Sequence, residues 1–221
     1  MKPWELLDVT RTPDGSTLEL RRHDGEYVIR AEAGYDLMTS RMHGSEDAMM
    51  PLACPAPRPG ARVLIGGLGM GYTLRATLDL LPPDGRAVVG ELNPAVVEWN
   101  RGPLGPLAGH PLDDPRTELV VGDVAQVLRK AVQSFDAILL DVDNGPKAPT
   151  QKGNLWLYTA AGLAASHRAL RPGGALAVWS VDHEVGFDRA LRSAGFIPET
   201  HFVTAHGKRG KRHVVFLGRR R

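Results

Sequence analysis

Three acidic residues stand at the ends of three apolar runs, downstream of a glycine-rich hexapeptide. The hexapeptide is Gly66-Gly67-Leu68-Gly69-Met70-Gly71. Gly66, Gly67, Gly69 and Gly71 let a backbone turn sharply and admit a ligand where a Cβ would obstruct it. A dinucleotide fingerprint G-x-G-x-x-G would need glycine where Tyr72 stands, and no G-K-[ST] follows, so a phosphate-binding P-loop is excluded. Glu91 lies about 20 residues on, where a carboxylate can grip both hydroxyls of a ribose. Asp123 ends the next run. It can accept from an exocyclic amine, or cap the helix that follows it. Asp141 ends the run after that, with Asp143 and Asn144 just beyond. No helix signal begins there, so capping does not account for Asp141. Acids at the ends of three successive strands after a glycine loop form a specific constellation, in which Glu91 and Asp123 suit the ribose and exocyclic amine of a nucleoside.

Strand ends must hold these groups. Residues 62–65, 87–90, 117–121, 137–140 and 176–179 are short apolar runs that read as buried strands. Helical patterns over 72–81, 94–100, 125–132, 158–170 and 185–194 alternate with them. Such alternation demands a parallel sheet with right-handed crossovers and helices on both faces. Ligands then bind beyond the carboxyl ends of the strands. The expected fold is therefore α/β, a doubly wound, Rossmann-like and mostly parallel sheet. Residues 201–205 and 213–217 flank a Gly-Lys-Arg-Gly loop and predict a C-terminal antiparallel hairpin. Ahead of the sheet, alternation around Leu18 and Leu20 and the Asp24-Gly25 turn predict a small β-meander. A helix over 41–54, capped by Ser45, connects it to the proline-rich segment 55–60. The domains expected are 1–54, the meander and connecting helix, and 55–221, the nucleoside-binding domain. Such a meander has too little core to stand alone.

Composition narrows the class. The 221 residues suit one α/β domain with a modest appendage. With 43% hydrophobic and 24% charged residues, the chain reads as globular rather than disordered. No apolar run is long enough to cross a membrane, and MKPWELLDV lacks the pattern of a signal peptide. Cys54 is the one cysteine, which precludes an internal disulfide and a cysteine-based zinc site. The location expected is cytoplasmic. Net charge is +2, but Lys208, Arg209, Lys211, Arg212, Arg219, Arg220 and Arg221 crowd the C-terminus. No aromatic residues interleave with them to stack bases. They read as a solvated hairpin loop and a frayed tail, and nucleic acid is not the expected partner. Of His43, His183 and His201, which invite a catalytic assignment, His43 alone is near the expected cleft and is a minor candidate, while His201, His206 and His213 lack tight metal-ligand spacing. His201, His206 and His213 read as surface or interface histidines, and no metal is expected.

The segments Val63 to Gly71, Gly90-Glu91-Leu92-Asn93, Asp114-Pro115-Arg116, Val121-Gly122-Asp123 and Phe135 to Asp141 resemble spermidine synthases in order and spacing. Leu157-Tyr158 and Leu170-Arg171-Pro172-Gly173-Gly174 continue the likeness, which covers nearly the whole chain. The core segments are shared with class I S-adenosylmethionine-dependent methyltransferases. The resemblance implies the class I methyltransferase fold and a sulfonium-nucleoside donor, S-adenosylmethionine or its decarboxylated form. It implies that the glycine loop holds the donor's sugar and methionine-derived portion, Glu91 the ribose and Asp123 the adenine amine. Asp141 matches the family's catalytic aspartate, with Asp143 beside it. Glu46 and Tyr158 are expected to contact the acceptor.

Departures shift the expected reaction. Met70 stands where the family usually carries an aspartate for the donor's ammonium tail. Val142-Asp143-Asn144 replaces a serine-rich stretch, and Arg41 would repel a polycation if it pointed inward. Methyl transfer to a small amine or similar nucleophile is therefore placed first, with aminopropyl transfer as the alternative. Three further readings stay open. One is a metal-assisted O-methyltransferase using Asp141, Asp143 and Asn144. Another is an RNA-binding or RNA-modifying methyltransferase using the basic C-terminus. The last is a non-catalytic binder of the nucleoside. A lid over residues 144–154 and a homodimer are also expected.

Overall fold

A computed structural model describes residues 3–12, 15–31, 34–142, 145–146, 154–205 and 212–221. Four strands open the chain: β1 (Glu5–Arg11), β2 (Thr17–His23), β3 (Glu26–Ala31) and β4 (Asp36–Thr39). They form an antiparallel meander in chain order. Asp24 and Gly25 both take positive φ, 46° and 85°, as the tight β2–β3 hairpin requires. Leu18, Leu20 and Ile29 join the same apolar cluster as the main sheet, so the meander borrows its core from the rest of the chain.

The main sheet holds β5 (Arg62–Gly66), β6 (Arg86–Glu91), β7 (Thr117–Val121), β8 (Phe135–Leu140), β9 (Leu170–Ser180), β10 (Ile197–Thr204) and β11 (Arg212–Arg219). Their spatial order is β10-β11-β9-β8-β5-β6-β7. β7, β6, β5, β8 and β9 run parallel, and β11 is antiparallel to both β9 and β10. Alternate residues of the central strands serve opposite faces. Val63, Ile65, Ala137 and Leu139 belong to one buried cluster, and Leu64, Ile138 and Leu140 to the other. With both faces covered, these strands are apolar throughout rather than alternating. Each such side chain contributes about 2 kcal/mol by leaving water. This is the mostly parallel α/β architecture with a C-terminal hairpin anticipated from the sequence.

Helices α3 (Tyr72–Leu80), α4 (Pro94–Arg101), α5 (Val124–Lys130), α7 (Ala160–Ala169) and α8 (Phe187–Ser193) cross between strands. Two expected helices are broken. Residues 41–54 form α1 (Gly44–Asp47) and α2 (Met49–Ala53), and the N-cap of α1 is His43, which makes no side-chain cap bond. Ser45 does not cap, because its hydroxyl is committed inside the molecule. The helix expected at 158–170 is split into α6 (Leu155–Tyr158) and α7 by Thr159, whose hydroxyl accepts from the Gly162 amide. Among the described residues, no helix is long and apolar enough to cross a membrane.

The described C-terminal residues are not a frayed tail. Arg219 donates to Glu199 at 2.6 Å and to the carbonyls of Leu52 and Ala53. Arg220 donates to the carbonyls of His167 and Leu170. These guanidiniums tie the last strand to its neighbours. Lys208, Arg209, Lys211 and His206 lie outside the described residues.

Candidate active site

β5 lies between β6 and β8, so the chain leaves it in opposite directions for its two neighbours. That reversal opens a crevice beyond the carboxyl ends of the strands. Gly66 pairs with Gly90 on one side and Leu140 on the other, which sets Glu91 and Asp141 on either flank of the glycine loop. The Gly67 amide donates to the Gly90 carbonyl at 2.9 Å, and the Asp141 amide to the Gly66 carbonyl at 2.9 Å. Gly67 takes φ 89°, and a Cβ there would collide with the Asp141 carbonyl oxygen. Gly69 takes φ 52°, and a Cβ there would lie 2.8 Å from the Met38 methyl. Gly71, at φ 85°, is the N-cap of α3.

The meander closes over this crevice. Trp99 Nε1 of α4 donates to Asp8 of β1 at 2.7 Å, and the Tyr72 hydroxyl donates to the Ser40 carbonyl at 3.1 Å. The result is a cavity of about 730 Å³. Gly67, Gly69, Glu91, Asp123, Asp141 and Glu46 all line it, together with Leu18, Ile29, Leu37 and Met38 from the meander. Gly66 and Gly71 flank the loop without lining the cavity. Tyr158 is not a lining residue: its ring meets Phe187 edge-on at 6.3 Å. Tyr158 is the last residue of α6, just before the break at Thr159. Asp143, Asn144 and most of the expected lid lie outside the described residues.

Each carboxylate has a distinct environment. Glu91 is buried, with Oε2 accepting from the Leu68 amide at 2.9 Å and Oε1 from the Asn93 amide at 2.8 Å. Burial raises its pKa despite those donors. Glu91 thus clamps the glycine loop and keeps lone pairs for hydroxyls in the cavity. Asp123 is the helix cap offered as one reading of it, and its place on the cavity leaves the other reading open. Oδ1 caps α5 through the Ala125 amide at 2.8 Å, and the carboxylate still borders the cavity, with Arg129 3.9 Å from Oδ2. Arg129 in turn lies over the Trp156 ring, 4.1 Å from its centroid.

Asp141 Oδ2 accepts from the Thr73 hydroxyl of α3 at 2.8 Å. Burial raises the Asp141 pKa above the usual carboxylate range, and the Thr73 bond opposes the shift. Glu46 is only 6% exposed. Burial, then the charges of Asp141 and Asp47, raise its pKa, against the hydrogen bond from Ser45. Two carboxyls of raised pKa on one cavity can take up and hold a proton near neutrality.

Several residues here escaped the sequence reading. Thr73 was visible only as a helix residue six places after Gly67. Trp179 and His213 line the cavity from β9 and β11. His213 is buried, against the surface role expected for it, because β11 inserts between β9 and β10. His43 stacks on Tyr72 at 4.0 Å, pairs with Asp47 and does not line the cavity. Met70 is fully buried in the core cluster and is not among the residues that line the cavity. Arg41 extends outward to pair with Glu26.

Comparison with known proteins adds ancestry. A family model described as the spermine/spermidine synthase domain matches residues 45–185. A polyamine aminopropyltransferase of Mycobacterium tuberculosis is 37% identical over 131 residues, 58% of this chain and 24% of that protein. Polyamine aminopropyltransferase 2 of Pseudomonas aeruginosa is 34% identical over 151 residues, 66% of this chain and 41% of that protein. The matched stretches thus span less than half the length of these relatives. The crystal structure of spermidine synthase from Thermotoga maritima superimposes with a TM-score of 0.75 at 22% identity, covering 98% of this chain and 72% of that one. At that identity the likeness is one of fold.

Proposed function

The chain belongs to the spermine/spermidine synthase family, and from that premise we propose that it is an enzyme that transfers an aminopropyl group from decarboxylated S-adenosylmethionine to a small amine. The observation that carries the reading is the pairing of Asp141 and Glu46 on one cavity with the glycine loop. An amine arrives as an ammonium and must lose a proton before its nitrogen can attack. The carboxyl pair takes that proton. The nitrogen lone pair then forms a C–N bond at the carbon beside the sulfonium, and the C–S bond breaks with its electrons left on sulfur. The products are the substituted amine and a neutral thioether nucleoside. Gly67 and Gly69, Glu91 and Asp123 hold the donor, and the apolar meander residues accommodate the acceptor's methylene chain. Fixing both reactants in line supplies much of the rate.

This reverses the order drawn from the sequence, where methyl transfer came first on the strength of Met70. That side chain lies in the core, so its type carries no information about the donor's tail. Arg41, the other objection to a cationic acceptor, faces Glu26 instead of the cavity. The names of the relatives support the same choice. A homodimer is part of the reading, supported by exposed Leu6 and Val9 on edge strand β1.

The test is a paired assay by mass spectrometry. Purified protein is given 1,4-diaminobutane with either decarboxylated or intact S-adenosylmethionine. Appearance of the aminopropylated amine and methylthioadenosine from the decarboxylated donor alone is expected. Methylated amine from the intact donor, with no aminopropyl product, would reject the reading.

A further inference from the structure

Glu46 has a partner chain that the transfer chemistry above does not use. The Ser45 hydroxyl lies 2.5 Å from Glu46 Oε2 and 2.9 Å from His213 Nδ1. Ser45, Glu46 and His213 are all more than nine-tenths buried, at 0%, 6% and 8% exposure. They come from α1 and β11, and 168 positions separate Ser45 from His213. The Trp179 ring packs edge-on against the imidazole at 4.7 Å.

One hydroxyl carries one proton, so it donates to one neighbour at a time. If Ser45 donates to Glu46, the carboxylate is ionised and Nδ1–H donates to the Ser45 oxygen. If Ser45 donates to Nδ1, the imidazole is neutral and the carboxylic acid of Glu46 donates to the Ser45 oxygen. The two hydrogen-bond polarities are the same chain with one proton moved from Glu46 to His213. The groups facing Glu46 fix which is favoured. Asp141 faces it from the end of β8, Asp47 from its own helix and Tyr72 from α3. All three are acidic groups, so an anion at Glu46 is disfavoured until a cation or a second proton site compensates it.

We propose that Ser45 and His213 form a proton relay for Glu46, as positioning residues that draw off the acceptor amine's proton during transfer. The proposal rests on the aminopropyl-transfer reading. The ammonium proton reaches the carboxyl pair before the C–N bond forms, which frees the nitrogen lone pair for attack. Glu46 passes a proton to the Ser45 oxygen while the Ser45 proton moves to Nδ1. An imidazolium results; it gives its Nε2 proton to water, and a water-assisted shift of the remaining proton from Nδ1 to Nε2 resets the chain. The relay regenerates an ionised carboxylate while product is still bound, so the product ammonium keeps a counter-charge.

The test is an NMR titration of ¹⁵N-histidine-labelled, donor-free protein, with the His213 signals assigned by their loss in His213→Gln. Wild type and Ser45→Thr, which keeps the hydroxyl, are expected to show His213 titrating in two steps, as coupled groups do. Ser45→Ala and Glu46→Gln are expected to show a single step. A His213 titration unchanged by Ser45→Ala overturns the relay. Turnover with decarboxylated S-adenosylmethionine and 1,4-diaminobutane supplies a second arm. Ser45→Ala should lower kcat about tenfold or more with the donor KM unchanged, and Ser45→Thr should restore it. Equal kcat in Ser45→Ala and wild type also overturns the relay. If wild type makes no aminopropylated amine, the reaction reading fails, and the titration alone decides the coupling.

Discussion

Gly67 and Asp141 meet so closely that no side chain fits between them: the glycine's missing Cβ occupies the place of the aspartate's carbonyl oxygen. The contact joins the end of β5 to the end of β8 and fixes the glycine loop against the backbone of the aspartate.

Gly67→Ala is therefore expected to push the two strand ends apart and to strain a backbone held at φ 89°. The cost expected is about 2 kcal/mol or more of stability, with loss of donor binding. Urea denaturation and calorimetry with decarboxylated S-adenosylmethionine check both. An alanine variant that binds like wild type would contradict the contact.

Thr73→Val removes the hydroxyl that stabilises ionised Asp141 at nearly constant volume. A hydrogen bond to the charged form lowers a carboxyl pKa, so its loss raises one already lifted by burial. The acid limb of the kcat/KM profile should move to higher pH by up to about one unit. A profile that stays in place, or moves down, is inconsistent with Asp141 as the group reporting on that limb.

Glu46→Gln tests the cost of the buried acid. The folded pKa is raised, so the folded state holds its proton more tightly than the unfolded chain, whose Glu titrates near about 4.3. Stability from this group is then present below the unfolded value and declines as pH rises to the folded one. The variant should match wild type near pH 4 and exceed it by about 3 kcal/mol at pH 8. Melting curves at both pH values decide, and a constant offset would mean that ionisation is not the cause.

Met70→Asp would restore the family's usual residue type but place an unpaired charge in the core. It should cost about 3 kcal/mol or more, whereas Met70→Leu should cost less than about 1.5 kcal/mol. Denaturation midpoints compare them. A stable Met70→Asp protein that gains donor affinity would show that the loop can rotate this position inward.

The strands were legible because a parallel sheet covered on both faces makes each central strand an uninterrupted apolar run, as Ala137 to Leu140 does. Glu91, Asp123 and Asp141 could be found because a strand end is a position along the chain. Glu46 and Asp141 as a facing pair could not, since the contact depends on how α1 docks. His213 was misplaced for a related reason. A strand close to the C-terminus suggests an edge, but β11 lies inside the sheet with partners on both sides. Tyr158 was assigned to the acceptor by likeness, and its ring packs edge-on against Phe187, a contact between two helices that the chain order does not reveal.

The interior position of β11 also governs when a newly made chain becomes competent. A nascent polypeptide that has emerged only as far as β10 lacks the strand that joins β10 to β9, and it lacks His213. Its glycine loop, Glu91, Asp123 and Asp141 all precede β11 in the chain, so the residues that line the cavity between β6 and β8 are made before the strand that completes the sheet. The completed sheet must wait for the final strand to thread between two existing neighbours. Until β11 threads between them, β9 and β10 each keep an edge without its neighbour.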